Sequence, residues 1–184
     1  KPWVDIWRYT IKLNNYFFEV RRIDRYIGQL FTALEREGIL DNTLIVIISD
    51  NGPQQEAKGS LYDRALLTPL VIHYPPLTQQ REKRAVDALV STIDITPMIM
   101  DIVGAAIPEQ MRGISLVPLL KGTPQVSRNW IYAEKDQFEV NDYQRLIRTD
   151  EYAYIRSYWA RNFCGQAKDY AITTSLNTID FYSY

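Results

Sequence analysis

The sequence predicts an α/β fold that ends in a small antiparallel sheet. Three observations predict it. An amphipathic helical stretch runs through a short polar turn into a run of β-branched residues. A second apolar run comes next, bounded by prolines. After about residue 126 the chain changes to short aromatic and β-branched segments separated by charged turns.

Residues 6–38 read as one long helix. Val20, Ile23, Ile27, Leu30, Phe31 and Leu34 recur at three- and four-residue steps and make one apolar stripe. Arg21, Arg22, Arg25, Glu35 and Arg36 fall largely off it, and Gly38 is a C-terminal stop. Asp41-Asn42-Thr43 turns the chain into Leu44-Ile45-Val46-Ile47-Ile48, the most hydrophobic run present. Such a run reads as a buried central strand of a parallel sheet, with a neighbour on each side. Helix, turn and strand make half of a βαβ unit. The segment 53–64 reads as a polar loop, and Thr68-Pro69-Leu70-Val71-Ile72-His73-Tyr74 as a second strand, with Pro69 tolerable at its start and Pro75-Pro76 ending it. Residues 79–83 are polar and read as exposed. Ala88-Leu89-Val90-Ser91 suggests a further short strand. Asp94 is placed to cap a helix with Pro97 in its first turn that runs to Gly104. Residues 105–124 are loop-rich. Segments 130–134, 143–149 and 152–158 read as strands of the antiparallel sheet, and residues 169–184 have no strong period. The expected division is residues 1–125 for the distal part of the α/β core and 126–184 for the antiparallel subdomain.

A chain of 184 residues, 46% hydrophobic and 23% charged, is that of a globular domain with a real core. A net charge of −1 gives no electrostatic reason to bind nucleic acid or an anionic membrane. No apolar stretch approaches the roughly 20 residues that span a bilayer. The single cysteine, Cys164, excludes an intrachain disulfide and a cysteine-rich zinc site. The chain begins Lys1-Pro2-Trp3, with neither an initiator Met nor a signal-peptide pattern, so the expectation is either that something was removed or that it is part of a longer polypeptide.

Chemistry is expected where the first strand ends. Ligands of open α/β sheets bind beyond the carboxyl ends of strands. Ser49-Asp50-Asn51-Gly52 puts a carboxylate and an amide oxygen there, both hard donors of the kind that Ca²⁺ or Mg²⁺ accepts. Asp-Asn-Gly alone is also a common turn. His73 lies inside a strand segment and reads as structural.

Several collinear segments carry a resemblance. The stretch YFFEVRRIDRYIGQLFTALEREGILDNTLIVIISDNG is similar to the helix and strand that end in the metal-binding Asp-Asn pair of sulfatases, in the alkaline-phosphatase-like superfamily. KGSLYDRALLTPLVIHYP resembles that family's Lys-Gly-Thr-x-Tyr-Glu segment and its strand. VSTIDITPMIMDIVGAAIP and MRGISLVPLLKG resemble the family's next two segments, and YAEKD with RLIRTDEYAYIRSY resembles the C-terminal subdomain. The nearest branch is that of bacterial proteins akin to heparan N-sulfatase. The resemblance implies a partial alkaline-phosphatase-like sandwich. It implies that Asp50 and Asn51 are metal ligands, with Ca²⁺ the metal, and that Lys58 contacts the substrate sulfate. A cation at Lys58 would stabilise oxygens as negative charge develops. Tyr62 and Asp63 are expected to shape the loop rather than react.

The departures bound the function. Sulfatases make a formylglycine nucleophile from a Cys/Ser-x-Pro/Ala-x-Arg signature, and Phe163-Cys164-Gly165-Gln166-Ala167 does not fit it. No other segment fits, and Glu134-Lys135-Asp136-Gln137-Phe138 lacks the His that some relatives use to read substrate. The implied role is therefore the C-terminal portion of a hydrolase of sulfate esters or sulfamates, acting on a sulfated carbohydrate or an aryl sulfate. Its partner would be an N-terminal half bearing the nucleophile. The 184 residues alone are expected to be inactive, weak in Ca²⁺ binding and prone to aggregate. The alternatives are a non-catalytic domain of this fold that binds a sulfated glycan or a protein, and part of a related phosphodiesterase or phosphonate hydrolase. By analogy with sulfatases the location would be periplasmic, secreted or lysosomal.

Overall fold

The computed structural model describes residues 2–52, 58–78, 85–123, 128–138, 140–158 and 180–183. Its contacts divide the chain into two units, one of residues 1–45 with 74–76 and one of residues 46–73 with 77–184.

The first unit is built on helix α1 (Pro2–Arg36). It starts before the predicted residue 6 and stops where the glycine requires. Gly38 takes a φ of +67°, a left-handed conformation that side chains with a Cβ resist. The Ile39 amide then donates to the Leu34 carbonyl at 3.1 Å and the Gly38 amide to Glu35 at 3.0 Å, which satisfies carbonyls left over at the helix end. A 3₁₀ turn (Leu40–Asn42) follows, and the Thr43 hydroxyl donates to the Ile39 carbonyl at 2.7 Å. Of the predicted stripe, Ile27, Phe31 and Leu34 are half-buried, whereas Val20, Ile23 and Leu30 are exposed.

β1 (Ile45–Ile48), which belongs to the second unit from Val46 on, and β2 (Leu70–His73) form a two-stranded sheet. The burial expected of a central strand is not reached. Ile45 is buried, Val46 and Ile47 are half-buried, and Ile48 is exposed, as is Val71 of β2. Among the described residues β1 has one ladder partner where the sequence called for two. The polar stretch before β2 contains one turn of helix, α2 (Asp63–Leu66). Pro75-Pro76 ends β2 as predicted, but the prolines also open a helical turn, α3 (Pro75–Thr78), because their fixed φ suits its first positions. Residues 79–83, read from the sequence as exposed, lie outside the described residues.

Residues 88–91 pair with no strand among the described residues and are coil, contrary to the predicted short strand. A 3₁₀ turn (Thr92–Asp94) then leads into α4 (Ile95–Ile102), with Met98 and Pro97 buried against the interior. Asp94 does not cap α4 with its side chain, as the sequence suggested. Ser91 and Asp94 instead form a reciprocal capping box around the 3₁₀ turn. The Asp94 carboxylate is wholly buried and accepts from the Ser91 amide at 2.8 Å, the Ile114 amide at 2.9 Å and Arg128 Nε at 3.2 Å. Arg128 Nη2 completes the ion pair. One carboxylate thus joins the start of α4, the loop at Ile114 and the segment leading to the next sheet. Helix α5 (Val117–Leu120) is a single turn in the otherwise loop-rich segment.

Strands β3 (Ile131–Phe138), β4 (Val140–Arg148), β5 (Tyr152–Ser157) and β6 (Asp180–Ser183) form an antiparallel sheet in the order β3-β4-β5-β6. The first three are the strands read from the sequence. The fourth lies in the terminal segment that showed no period. Register places Ala133, Leu146 and Ile155 in one row across the sheet, and Ala153 beside Arg148. These side chains face inward, and Leu146, Ala153 and Ile155 are buried. Tyr132, Ile147 and Tyr152 are exposed, which gives the alternation expected of a sheet with one face covered. A register shift interrupts the ladder between Lys135 and Gln137. On the exposed side Arg145 pairs with Glu134 at 3.3 Å and Asp136 at 2.7 Å, and the Tyr132 hydroxyl donates to Glu134 at 3.2 Å. Partial burial and then that acceptor raise the Tyr132 pKa above its ordinary value.

Candidate functional site at the end of β1

Asp50 and Asn51 follow β1 directly, where the sheet hands the chain to a loop. The Asp50 carboxylate is exposed and lies 3.5 Å from the Ser49 hydroxyl and 3.7 Å from Lys58 Nζ. Asn51 Nδ2 donates to the Gly52 carbonyl at 2.8 Å. With its nitrogen engaged, the amide presents Oδ1 as its acceptor. The three residues singled out from sequence are thus brought to one place, with Asp50 and Lys58 in direct ionic contact.

Two features of the backbone hold them there. Gly52 is buried, and its amide donates to the Ala65 carbonyl of α2 at 2.7 Å. A Cβ at this position would collide with the Arg64 carbonyl and stand 2.8 Å from its carbon, so the approach of the two segments needs a glycine. On the other side of the loop, Gly59 turns with a φ of +82° just after Lys58. Leu61 then enters a core cluster with Leu146, Ala153 and Ile155, flanked by Tyr62 and Ala133. Asp63, in the first turn of α2, forms an ion pair with Arg148 at the end of β4. Sequence reasoning did not find Arg148 or Leu61. An ion pair between distant segments leaves no local pattern, and Leu61 lies in what reads as a polar loop.

The donors fit a hard cation in kind. One carboxylate and one amide oxygen are the ligands that Ca²⁺ takes, but they fall short of the usual ~6–8 oxygens. Among the described residues, no three His, Cys, Asp or Glu side chains gather closely enough to hold a metal ion. Asp50 and Asn51 could therefore form part of such a site and not the whole of it. His73 is half-buried at the end of β2. Cys164 lies outside the described residues. An open groove of about 950 Å³ passes Asp63, Arg148, Arg128, Asp87 and Tyr132, and Asp50, Asn51 and Lys58 do not line it. No described helix is long and apolar enough to cross a membrane.

The arrangement of helix, strand and C-terminal antiparallel sheet is that of the alkaline-phosphatase-like hydrolases. A solved structure of a protein in complex with its substrate D-glucosamine-2-N,6-O-disulfate superposes with a TM-score of 0.65 at 26% identity, covering 89% of this chain and 32% of the other. The profile of the family described as Sulfatase matches residues 9–105, and the chain belongs to that family. An ulvan-active sulfatase of Formosa agariphila is 30% identical over 156 residues, covering 84% of this chain and 24% of the relative. An N-acetylglucosamine-6-O-sulfatase of Bacteroides thetaiotaomicron is 30% identical over 129 residues, covering 67% of this chain and 23% of the relative. The chain spans about a quarter of the length of these two relatives.

Proposed function

We propose that this chain supplies the distal part of the α/β core, residues 1–125, and the C-terminal subdomain, residues 126–184, of a hydrolase that removes sulfate from a sulfated sugar. The observation that carries the reading is the meeting of Lys58 with Asp50 at the carboxyl end of β1, within a chain of the sulfatase family. In that reading Asp50 and Asn51 contribute oxygen ligands to a Ca²⁺ site. When bound, the ion supplies positive charge beside the sulfate. Lys58 adds an ammonium that holds a sulfate oxygen and offsets charge that grows as the ester bond breaks. Neither Lys58 nor Asp50 is placed as nucleophile, and the chain has no Cys/Ser-x-Pro/Ala-x-Arg segment to provide one. The 184 residues alone are therefore read as inactive, with the nucleophile and remaining ligands supplied by a larger polypeptide. Sulfated amino sugars are the favoured substrate class, supported by the disulfated glucosamine bound to one structural neighbour and by the sulfatase named for N-acetylglucosamine.

The test is release of inorganic sulfate from D-glucosamine 6-sulfate, D-glucosamine N-sulfate and 4-nitrophenyl sulfate by the product of the full open reading frame that contains this chain. Metal-dependent release that falls about 10²-fold or more on Lys58→Ala supports the reading. Tight binding of these sugars without turnover would favour a non-catalytic relative. Sulfate release by the isolated 184 residues would refute the division of labour proposed here.

A further inference from the structure

Lys58 is not held in place by its own contact with Asp50. The two side chains are 51% and 81% exposed, and an ion pair in that setting contributes about 0–1 kcal/mol. Nor can α2 hold itself, because one turn of helix is unstable without tertiary support. Yet both arms of the candidate site converge on α2. The Asp50–Asn51 arm reaches it through the Gly52 amide and the Ala65 carbonyl. The Lys58 arm reaches it through Leu61 and Tyr62. What fixes α2 is the antiparallel sheet. Leu61 is 4% exposed among Leu146, Ala153 and Ile155, and Ala65 is buried as well. Asp63 is ion-paired with Arg148, the two side chains being 23% and 16% exposed. Water screens that pair far less than it screens Lys58 and Asp50.

We propose that Arg148 and Asp63 are positioning residues: their ion pair, with the Leu61 anchor, sets Lys58 against Asp50 at the distance the sulfate site needs. The C-terminal sheet then acts on the reaction through the lysine loop, without touching substrate. This rests on Lys58 being the sulfate-contacting residue. Displacement of a binding group by about 1 Å can cost on the order of 10²-fold in rate, so a loosened clamp is readable in kinetics.

The experiment is a double-mutant cycle in the product of the full open reading frame, with sulfate release as readout. Arg148→Ala and Asp63→Asn are each made alone and on Lys58→Ala. Each alone should lower kcat/KM by about 10–100-fold. On Lys58→Ala each should cost less than about 2-fold more, because the group they position is gone. Arg148→Lys, which keeps the charge, should recover much of the loss. Hydrogen exchange is the second measurement, useful if Arg148→Ala folds poorly. Asp63→Asn should speed exchange at residues 58–62 and leave α4 unchanged. Full multiplication of the two losses, or wild-type kinetics in both clamp variants, overturns the proposal and leaves the role of Lys58 standing. Wild-type kcat/KM in Lys58→Ala alone, or no turnover by the unmodified protein, overturns the reading on which it rests and the clamp with it.

Discussion

Lys58 Nζ lies 3.7 Å from Asp50 Oδ2, although both side chains are mostly in water. An exposed pair of this kind contributes little to folding, so its place at the end of β1 is read as functional. Lys58→Met should shift stability by no more than about 0.5 kcal/mol, while sulfate release by the full reading frame falls on the order of 10²-fold. Urea denaturation beside initial-rate assays checks both halves. A large stability loss would mean that the lysine is a structural residue.

Asp94 makes the opposite case. Its carboxylate is fully buried and its oxygens accept from the Ser91 and Ile114 amides and from Arg128. Asp94→Ala leaves Arg128 without this partner and strips those amides of their acceptor. A loss of about 3–5 kcal/mol is expected, seen as a lower denaturation midpoint.

Gly52→Ala tests the backbone seam under the site. The added methyl meets the Arg64 carbonyl group, and backbone cannot step aside as a flexible side-chain tip can. The expected cost is about 1–3 kcal/mol, with faster hydrogen exchange at the Gly52 amide as its bond to Ala65 lengthens.

Ca²⁺ titrated into the isolated 184 residues should show no binding tighter than about 1 mM by calorimetry, since two oxygen-bearing side chains are a fraction of a Ca²⁺ shell. Micromolar binding would mean that the chain holds a complete site.

Tyr132 gives a pH signature. Its pKa lies above the ordinary 10.0, from partial burial and from its hydrogen bond to Glu134. The folded state therefore keeps this proton longer than the unfolded state. That contribution to stability is complete below the unfolded value and is lost as pH rises through the folded one. Glu134→Gln should move the ionisation midpoint down, read by ultraviolet difference titration against Tyr132→Phe.

Elements with a local period were legible in the sequence. The three- and four-residue spacing from Val20 to Leu34 gave α1, and Gly38 gave its end because few other residues accept that φ. Short aromatic and β-branched segments between charged turns gave the first three antiparallel strands. Short elements were less legible. Residues 88–91 have strand-like side chains but no ladder partner among the described residues, and Asp63–Leu66 is too brief for its helical turn to show a period. At the site, Asp50, Asn51 and Lys58 could be named from motif order. Local rules make Asp94 a helix cap because they cannot see Arg128 or Ile114. Arg148 was invisible for the same reason.

The contact between Asp63 and Arg148 spans 85 positions of sequence. During synthesis, then, the motif emerges well before Arg148, the group proposed to seat it. At roughly 5–20 residues per second, the lag is on the order of ten seconds. In that interval Asp50, Asn51 and Lys58 exist as a sequence and not yet as a constellation. On the proposed reading, a nascent chain halted before β4 carries every motif residue and lacks the contact that seats them, so competence for sulfate would arrive late in the life of the polypeptide.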